Sequence, residues 1–170
     1  MSGDLWLPEN AQLLIRSETL NKHPSESGGP LFGYERDREV VVTRAFGPGL
    51  GAHHRPWLFE PDRAAVQKAI DAVAAKSAGA ERYIGSWHSH PLGIARPSLL
   101  DRRTARNIAS DTEAGCPRPV MLIQATVLRI SGLRPGRLRA YSWDPASQRL
   151  RSLKITNYVS QARTKSPAAD

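Results

Sequence analysis

Apolar residues recur along this chain at two different spacings, and each spacing predicts its own kind of element. From residue 7 to about 21 the pattern is helical, with Leu14 and Ile15 on the inner side and Pro8 at an early position. His23 and Pro24 end that helix. Leu31-Phe32 and Glu39-Val-Val-Val-Thr43 then read as two strands of a hairpin, joined by the charged stretch 34–38, with Glu26 in a Gly-rich turn just before the first strand. Residues 47–56 hold too many backbone breakers for a regular element, and the adjacent His53 and His54 are expected to be exposed there. Val66, Ala69, Ile70 and Val73 fall at i, i+3, i+4 and i+7, a second helix opened by Pro61-Asp62 and closed near Ser77-Ala-Gly79.

A strand follows over residues 82–90, and then a helix from 99 to about 112 that turns Leu100, Thr104, Ala105 and Ile108 inward. Residues 119–128 form a near-continuous apolar run of strand length, as a central strand covered on both faces requires. Residues 137–143 and 149–155 alternate apolar with basic, with Asp144-Pro-Ala-Ser147 as their turn. The order α-β-β-α-β-α-β-β-β predicts the α/β class, a single mixed β-sheet flanked by helices. One domain over 1–155 is expected, with 156–170 as a flexible C-terminal tail.

The chemistry concentrates in the third predicted strand and the dozen or so residues after it. Strand alternation puts His88 and His90 on one face with Ile84 and Ser86, and Tyr83, Trp87 and Ser89 on the other. A turn through Pro91 and Gly93 brings the chain back to Pro97-Ser98, a helix start that sets Asp101 in the first helical turn. Two imidazoles and one carboxylate are the ligand count of a catalytic zinc site, which keeps a position open. Blander readings exist for each part: Ser98 with Asp101 resembles a capping box, and a lone His-x-His is usually no ligand pair. The joint pattern favours a metal.

His88-Ser-His90-Pro91, seven residues, then Ser98-x-x-Asp101 resembles the signature of the JAB/MPN (JAMM) zinc metalloproteases. The upstream glutamate of that signature looks like Glu26 in Ser25-Glu-Ser-Gly-Gly-Pro-Leu-Phe-Gly33, similar to short bacterial members. The resemblance extends through Gly47-Pro-Gly49, Phe59-Glu-Pro-Asp62 and Asp101-Arg-Arg-Thr104, and so spans about 8–155. Pro30 departs from it, standing where members carry an apolar residue and suiting an edge or a strand start. The resemblance implies a deaminase-like α/β fold with one Zn2+ per chain on His88, His90 and Asp101. It also implies Glu26 as general base and a Ser98 hydroxyl that donates to the reacting carbonyl, in competition with its capping role. The implied substrate is a peptide or isopeptide bond at the C-terminus of a ubiquitin-like protein. Conjugation-type enzymes of mobile-element and anti-phage operons are the implied company. A zinc nucleoside deaminase is excluded, because His88-Ser-His90 and Cys116-Pro-Arg-Pro lack its His-x-Glu and Pro-Cys-x-x-Cys. A non-catalytic MPN-type module that docks an acidic protein or nucleic acid stays open as the alternative.

Charge and cysteine usage refine the picture. The chain has 170 residues and a net charge of +8. Residues 1–90 carry ten Lys and Arg against eleven Asp and Glu, and residues 91–170 fourteen against five, so the whole excess follows the two histidines. An acidic partner or a solvated basic face would each account for it, and nucleic acid is the weaker expectation. The single Cys116 suits a reducing compartment and a buried, unreactive thiol. Residues 1–6 lack the basic and apolar regions of a signal peptide, and the longest apolar run is far short of a bilayer span. A cytoplasmic protein with no membrane attachment is expected.

Overall fold

A computed structural model describes residues 3–37 and 39–159. The elements are β1 (Asp4–Pro8), α1 (Glu9–Lys22), β2 (Gly28–Arg36), β3 (Glu39–Ala45), β4 (His53–Arg55), β5 (Leu58–Glu60), α2 (Arg63–Ser77), β6 (Arg82–His90), α3 (Leu99–Ser110), β7 (Val120–Arg129), β8 (Gly132–Asp144) and β9 (Arg149–Tyr158). The predicted mixed sheet and its three helices are present. Its strand order is β1-β3-β2-β6-β7-β8-β9, and β1 pairs in parallel with both β3 and β9, closing the sheet into a barrel.

The apolar pattern does not predict the closing strand. Asp4-Leu-Trp-Leu-Pro8 alternates for only five residues and runs straight into the helical pattern, so Pro8 reads as a helix residue when it ends the strand and stands at the N-cap of α1. Leu5 and Leu7 are fully buried. The C-terminal strand also runs further than expected, since Thr156, Asn157 and Tyr158 pair with Trp6, Leu7 and Pro8. The Tyr158 hydroxyl donates to the Val42 carbonyl at 2.7 Å. These three residues belong to the sheet and not to the flexible tail expected over 156–170, whose residues 160–170 lie outside the described residues. The first hairpin strand likewise extends through Tyr34 and Glu35 to Arg36, which narrows the expected charged loop; Arg38 is outside the described residues.

Two cores form because the curled sheet has two faces. On one, Ala11 and Ile15 of α1 meet Leu5, Leu31, Val42, Ile84, Trp87, Val120 and Leu122. On the other, Ala105 of α3 packs on Met121, Ile123, Tyr141 and Trp143. Burying these apolar side chains is the main favourable term in folding, and truncating one as large as Trp87 would cost roughly 3–5 kcal/mol.

β6, the histidine strand, lies between β2 and β7 in the interior of the sheet. Its alternation is interrupted. The register against β2 shifts between Leu31 and Phe32, opposite Gly85 and Tyr83, so that Ile84 has no partner of its own. Gly85 has φ +141°, and a Cβ there would lie 1.9 Å from the Val120 carbonyl oxygen, so only glycine fits this bulge. Past the bulge the faces exchange. Ile84 therefore shares the inner core with Trp87, whereas Tyr83 lines the same cleft as His88, a correction to the simple alternation.

Pro30 sits in an interior strand, opposite Ser86, and not at an edge. Its carbonyl still accepts the Phe46 N–H at 3.1 Å, so a proline is tolerated where only its acceptor is used on that side.

Candidate metal centre

His88 and His90 leave the end of β6 side by side, with their Nε2 atoms 3.0 Å apart. The seven residues after His90 form a pinned loop. The Leu92 N–H donates to Thr126 Oγ1 at 2.8 Å, Gly93 N–H to the His90 carbonyl at 3.2 Å, and the Tyr141 hydroxyl to the carbonyl of buried Ala95 at 2.7 Å. That loop delivers Ser98 to the N-cap of α3, where its Oγ accepts the Asp101 N–H at 3.1 Å and Asp101 Oδ2 accepts the Ser98 N–H at 2.6 Å. The capping box is thus present. It also aims the Asp101 carboxylate, whose Oδ1 is 3.1 Å from His88 Nε2 and whose Oδ2 is 3.5 Å from His90 Nε2.

These three residues offer one ligand atom each within 4.8 Å of one another. The donor set can be tested for fit. His90 Nδ1 is 3.0 Å from the Ile94 carbonyl oxygen, which can only accept, so Nδ1 carries the hydrogen and Nε2 keeps its lone pair in the neutral ring. A second imidazole nitrogen and a carboxylate face that lone pair, an arrangement that a shared proton or a cation must hold together. Two imidazoles and one carboxylate are a fitting set for zinc.

The electrostatics agree. Burial pushes the Asp101 carboxyl up, but hydrogen bonds from His88 and His90 outweigh it and hold the group far below the usual carboxylate range. Burial pulls His90 down, and its bonds to Asp101 and the Ile94 carbonyl more than offset this and raise it. Glu26 is raised above its ordinary 4.5, chiefly by burial, with His88 and His90 pulling it down and Asp101 pushing it up.

Glu26 precedes β2 and lines one cleft of about 220 Å³ with His88 and Asp101. Leu58, Phe59, Leu100 and Ile108 are among the apolar residues of its walls, so the polar groups stand at one place in a greasy groove. Ser98 is exposed beside this group. Its cap uses a lone pair of Oγ, while its O–H hydrogen bonds to the Asp101 carboxylate and helps hold that group low; capping and donating therefore use different halves of one hydroxyl, and the donating half is shared with Asp101.

His53 and His54 do not lie in an irregular loop. They belong to β4, which pairs with β5 through a two-residue turn at Pro56-Trp57. His53 is exposed, while the half-buried His54 places Nδ1 2.8 Å from the Glu26 carbonyl oxygen. The Arg55 carbonyl accepts the Glu26 N–H at 2.8 Å. Sequence reasoning missed both His54 and Ile94 as supporting residues. The alternation shared by 53–55 and 58–60 was the available signal for the first, whereas a backbone carbonyl such as that of Ile94 leaves none. Phe59 presses the hairpin onto the start of β2, where a Cβ on Gly28 would sit 2.6 Å from its ring.

The model for prokaryotic homologs of the JAB domain matches residues 8–143. The chain belongs to that family. This JAB domain is 36% identical over 121 residues to the Probable metalloprotease y4qB of Sinorhizobium fredii, an alignment covering 70% of this chain and 74% of that protein. It is 32% identical over 99 residues to the CD-NTase/cGAS isopeptidase of Vibrio cholerae, covering 58% of this chain and 64% of that one. The solution structure of protein DSY2949 from Desulfitobacterium hafniense superposes with a TM-score of 0.68 at 20% identity, covering 92% and 94% of the two chains, a likeness of fold. No described helix of the JAB domain is long and apolar enough to cross a membrane.

Proposed function

We propose that this chain is a zinc-dependent isopeptidase or peptidase that removes or trims ubiquitin-like conjugates. The observation that carries the reading is the convergence of His88, His90 and Asp101, two of which share a cleft with a carboxylate, Glu26, that burial has made more basic. The names of the relatives, a metalloprotease and isopeptidases, support the reaction class and the kind of bond. A docking module would need neither the converging ligands nor the half-buried base beside them.

His88, His90 and Asp101 would hold the ion, with His90 kept in the right tautomer by Ile94 and Asp101 oriented by the cap of α3. Zinc bound there supplies Lewis acidity, the chemistry that makes water nucleophilic near pH 7. Glu26 takes the proton of the attacking water and returns it to the leaving amine, a shuttle suited to a carboxyl with raised proton affinity. The Ser98 O–H donates to the carbonyl oxygen as negative charge grows on it, a contribution of about 3 kcal/mol for one such donor. The walls formed by Leu58, Phe59, Leu100 and Ile108 receive the extended chain on either side of the bond and keep bulk water out.

The test is Glu26→Gln in zinc-loaded protein, with a ubiquitin-like protein fused through its C-terminus to a reporter as substrate. Cleavage should fall by at least about a hundredfold, the scale of a lost general base, with zinc content unchanged. Near-normal cleavage by the variant would assign the base to another residue.

A further inference from the structure

The helix that carries Asp101 has a second working face. Leu100, Thr104 and Ile108 of α3 line the metal cleft, whereas Arg102, Arg103 and Arg106 look the other way, toward β8 and β9. There they join Arg96, Arg139 and Arg149 around a cavity of about 790 Å³. No acidic residue lines it, and among the described residues none of the six guanidinium groups takes part in an ion pair. Elsewhere on the chain four arginines do find acids: Arg44 with Glu81, Arg82 and Arg118 with Glu35, Arg151 with Asp144. Six of the fourteen basic residues after residue 90 are thus gathered, without a carboxylate partner, around one hollow.

Six like charges around a hollow repel one another and raise its affinity for a polyanion. The shape and floor decide which one. Tyr141 and Trp143 form part of the lining but are only 7% and 4% exposed, and the Tyr141 hydroxyl is committed to Ala95. No aromatic face is open for bases to stack on, as a single strand would need. A duplex is read by a protruding helix or ribbon, and this surface is concave. Guanidinium forks pair bidentately with carboxylates, while Pro97 and Leu150 between them accept the apolar parts of a polypeptide. Pro97 directly precedes Ser98, so a segment held there lies next to the metal centre.

We infer that the arginine pocket is a docking site for an acidic segment of the protein substrate, gripping it outside the cleft in which the bond is cut. That the segment belongs to a substrate rests on the proposed isopeptidase reading, but the binding itself does not require turnover.

The experiment uses the full zinc-loaded chain and fluorescein-labelled decaglutamate, followed by anisotropy at low salt. A glycine-serine peptide, a single-stranded DNA 10-mer and a 16-base-pair duplex serve as comparison probes. Decaglutamate should bind more tightly than the other three. Arg103→Glu with Arg149→Glu should weaken it about tenfold or more, whereas Arg129→Glu with Arg134→Glu, the same charge change outside the pocket, should weaken it less than about threefold. In cleavage the pocket variant should raise KM with kcat nearly unchanged and zinc content equal. Equal losses in the two variants, no decaglutamate binding, or tighter binding of either DNA with loss in the pocket variant would overturn the inference. Pocket-specific decaglutamate binding by a chain that cleaves nothing would leave the docking site standing and remove the isopeptidase reading, so the two fail separately.

Discussion

His54 donates from Nδ1 to the Glu26 carbonyl at 2.8 Å, while the carbonyl of its neighbour Arg55 accepts the Glu26 N–H at the same distance. The β4–β5 hairpin therefore holds the main chain of Glu26 at both of its polar groups. Glu26 lies outside any strand or helix, so without this clamp its carboxylate would sit on an unsupported turn. Positioning errors of this kind cost rate without costing metal.

His54→Ala should accordingly lower kcat by roughly tenfold while zinc content stays at the wild-type level. His54→Asn carries an amide nitrogen where Nδ1 stood and should recover a good part of the loss; His54→Gln, whose donor reaches further, should recover less. Rates that stay low in the Asn variant would mean that ring packing on Phe59, 5.5 Å away, is what matters.

The raised proton affinity of Glu26 has a consequence for stability. A carboxyl whose folded pKa lies above its ordinary 4.5 costs the fold stability once pH has risen through the window between the two values, and costs nothing below 4.5, where both states are protonated. In chelator-treated protein Glu26→Gln should then melt higher than wild type at pH 7.5, and together with it at pH 4. A variant that melts lower at pH 7.5 would show that the carboxylate is stabilised where it stands.

What the sequence disclosed and what it hid divide along a physical line. Ligand spacing is local: His88 and His90 share a strand, and Ser98 to Asp101 is one helical turn, so these could be placed from periodicity alone. The barrel's closure was not legible, because β1 is recognisable only by its partners, the β3 and β9 backbones. The bulge was hidden for a similar reason. Gly85 reads as an ordinary strand glycine until the Val120 backbone is seen pressed against it. Gly85→Ala should therefore destabilise by more than about 3 kcal/mol, read as a lower urea midpoint. An unchanged midpoint would mean that the strand can shed its bulge.

Cys116 is 4% exposed, and burial, helped by the Glu35 charge and opposed by Arg82, pushes its thiol up to about 11. At pH 8 roughly one thiol in a thousand would be ionised, and the thiolate is the reactive form. An aromatic disulfide reagent should label native protein far more slowly than protein in denaturant, and Cys116→Ala should keep full activity. Rapid native labelling would contradict the burial, and lost activity would call for a thiol in the chemistry.

Ser98 can be divided experimentally because its two halves respond to different substitutions. As the N-cap of α3 it accepts the Asp101 N–H, and glycine at an N-cap costs only a few tenths of a kcal/mol whereas alanine costs about 1. As a donor to the carbonyl oxygen it has no substitute in either variant. Ser98→Gly should thus melt within about 1 °C of wild type and Ser98→Ala a few degrees lower. Both should lose about a hundredfold in kcat, the scale of one missing oxyanion donor, with KM little changed. Both variants lose the hydroxyl's bond to the Asp101 carboxylate but keep the Ser98 N–H that aims it; with that bond and both histidines intact, metal content should stay near one per chain. If Ser98→Gly retained wild-type kcat while Ser98→Ala lost only stability, the hydroxyl would be a cap and nothing more, and the carbonyl's charge would have to be met by the metal alone.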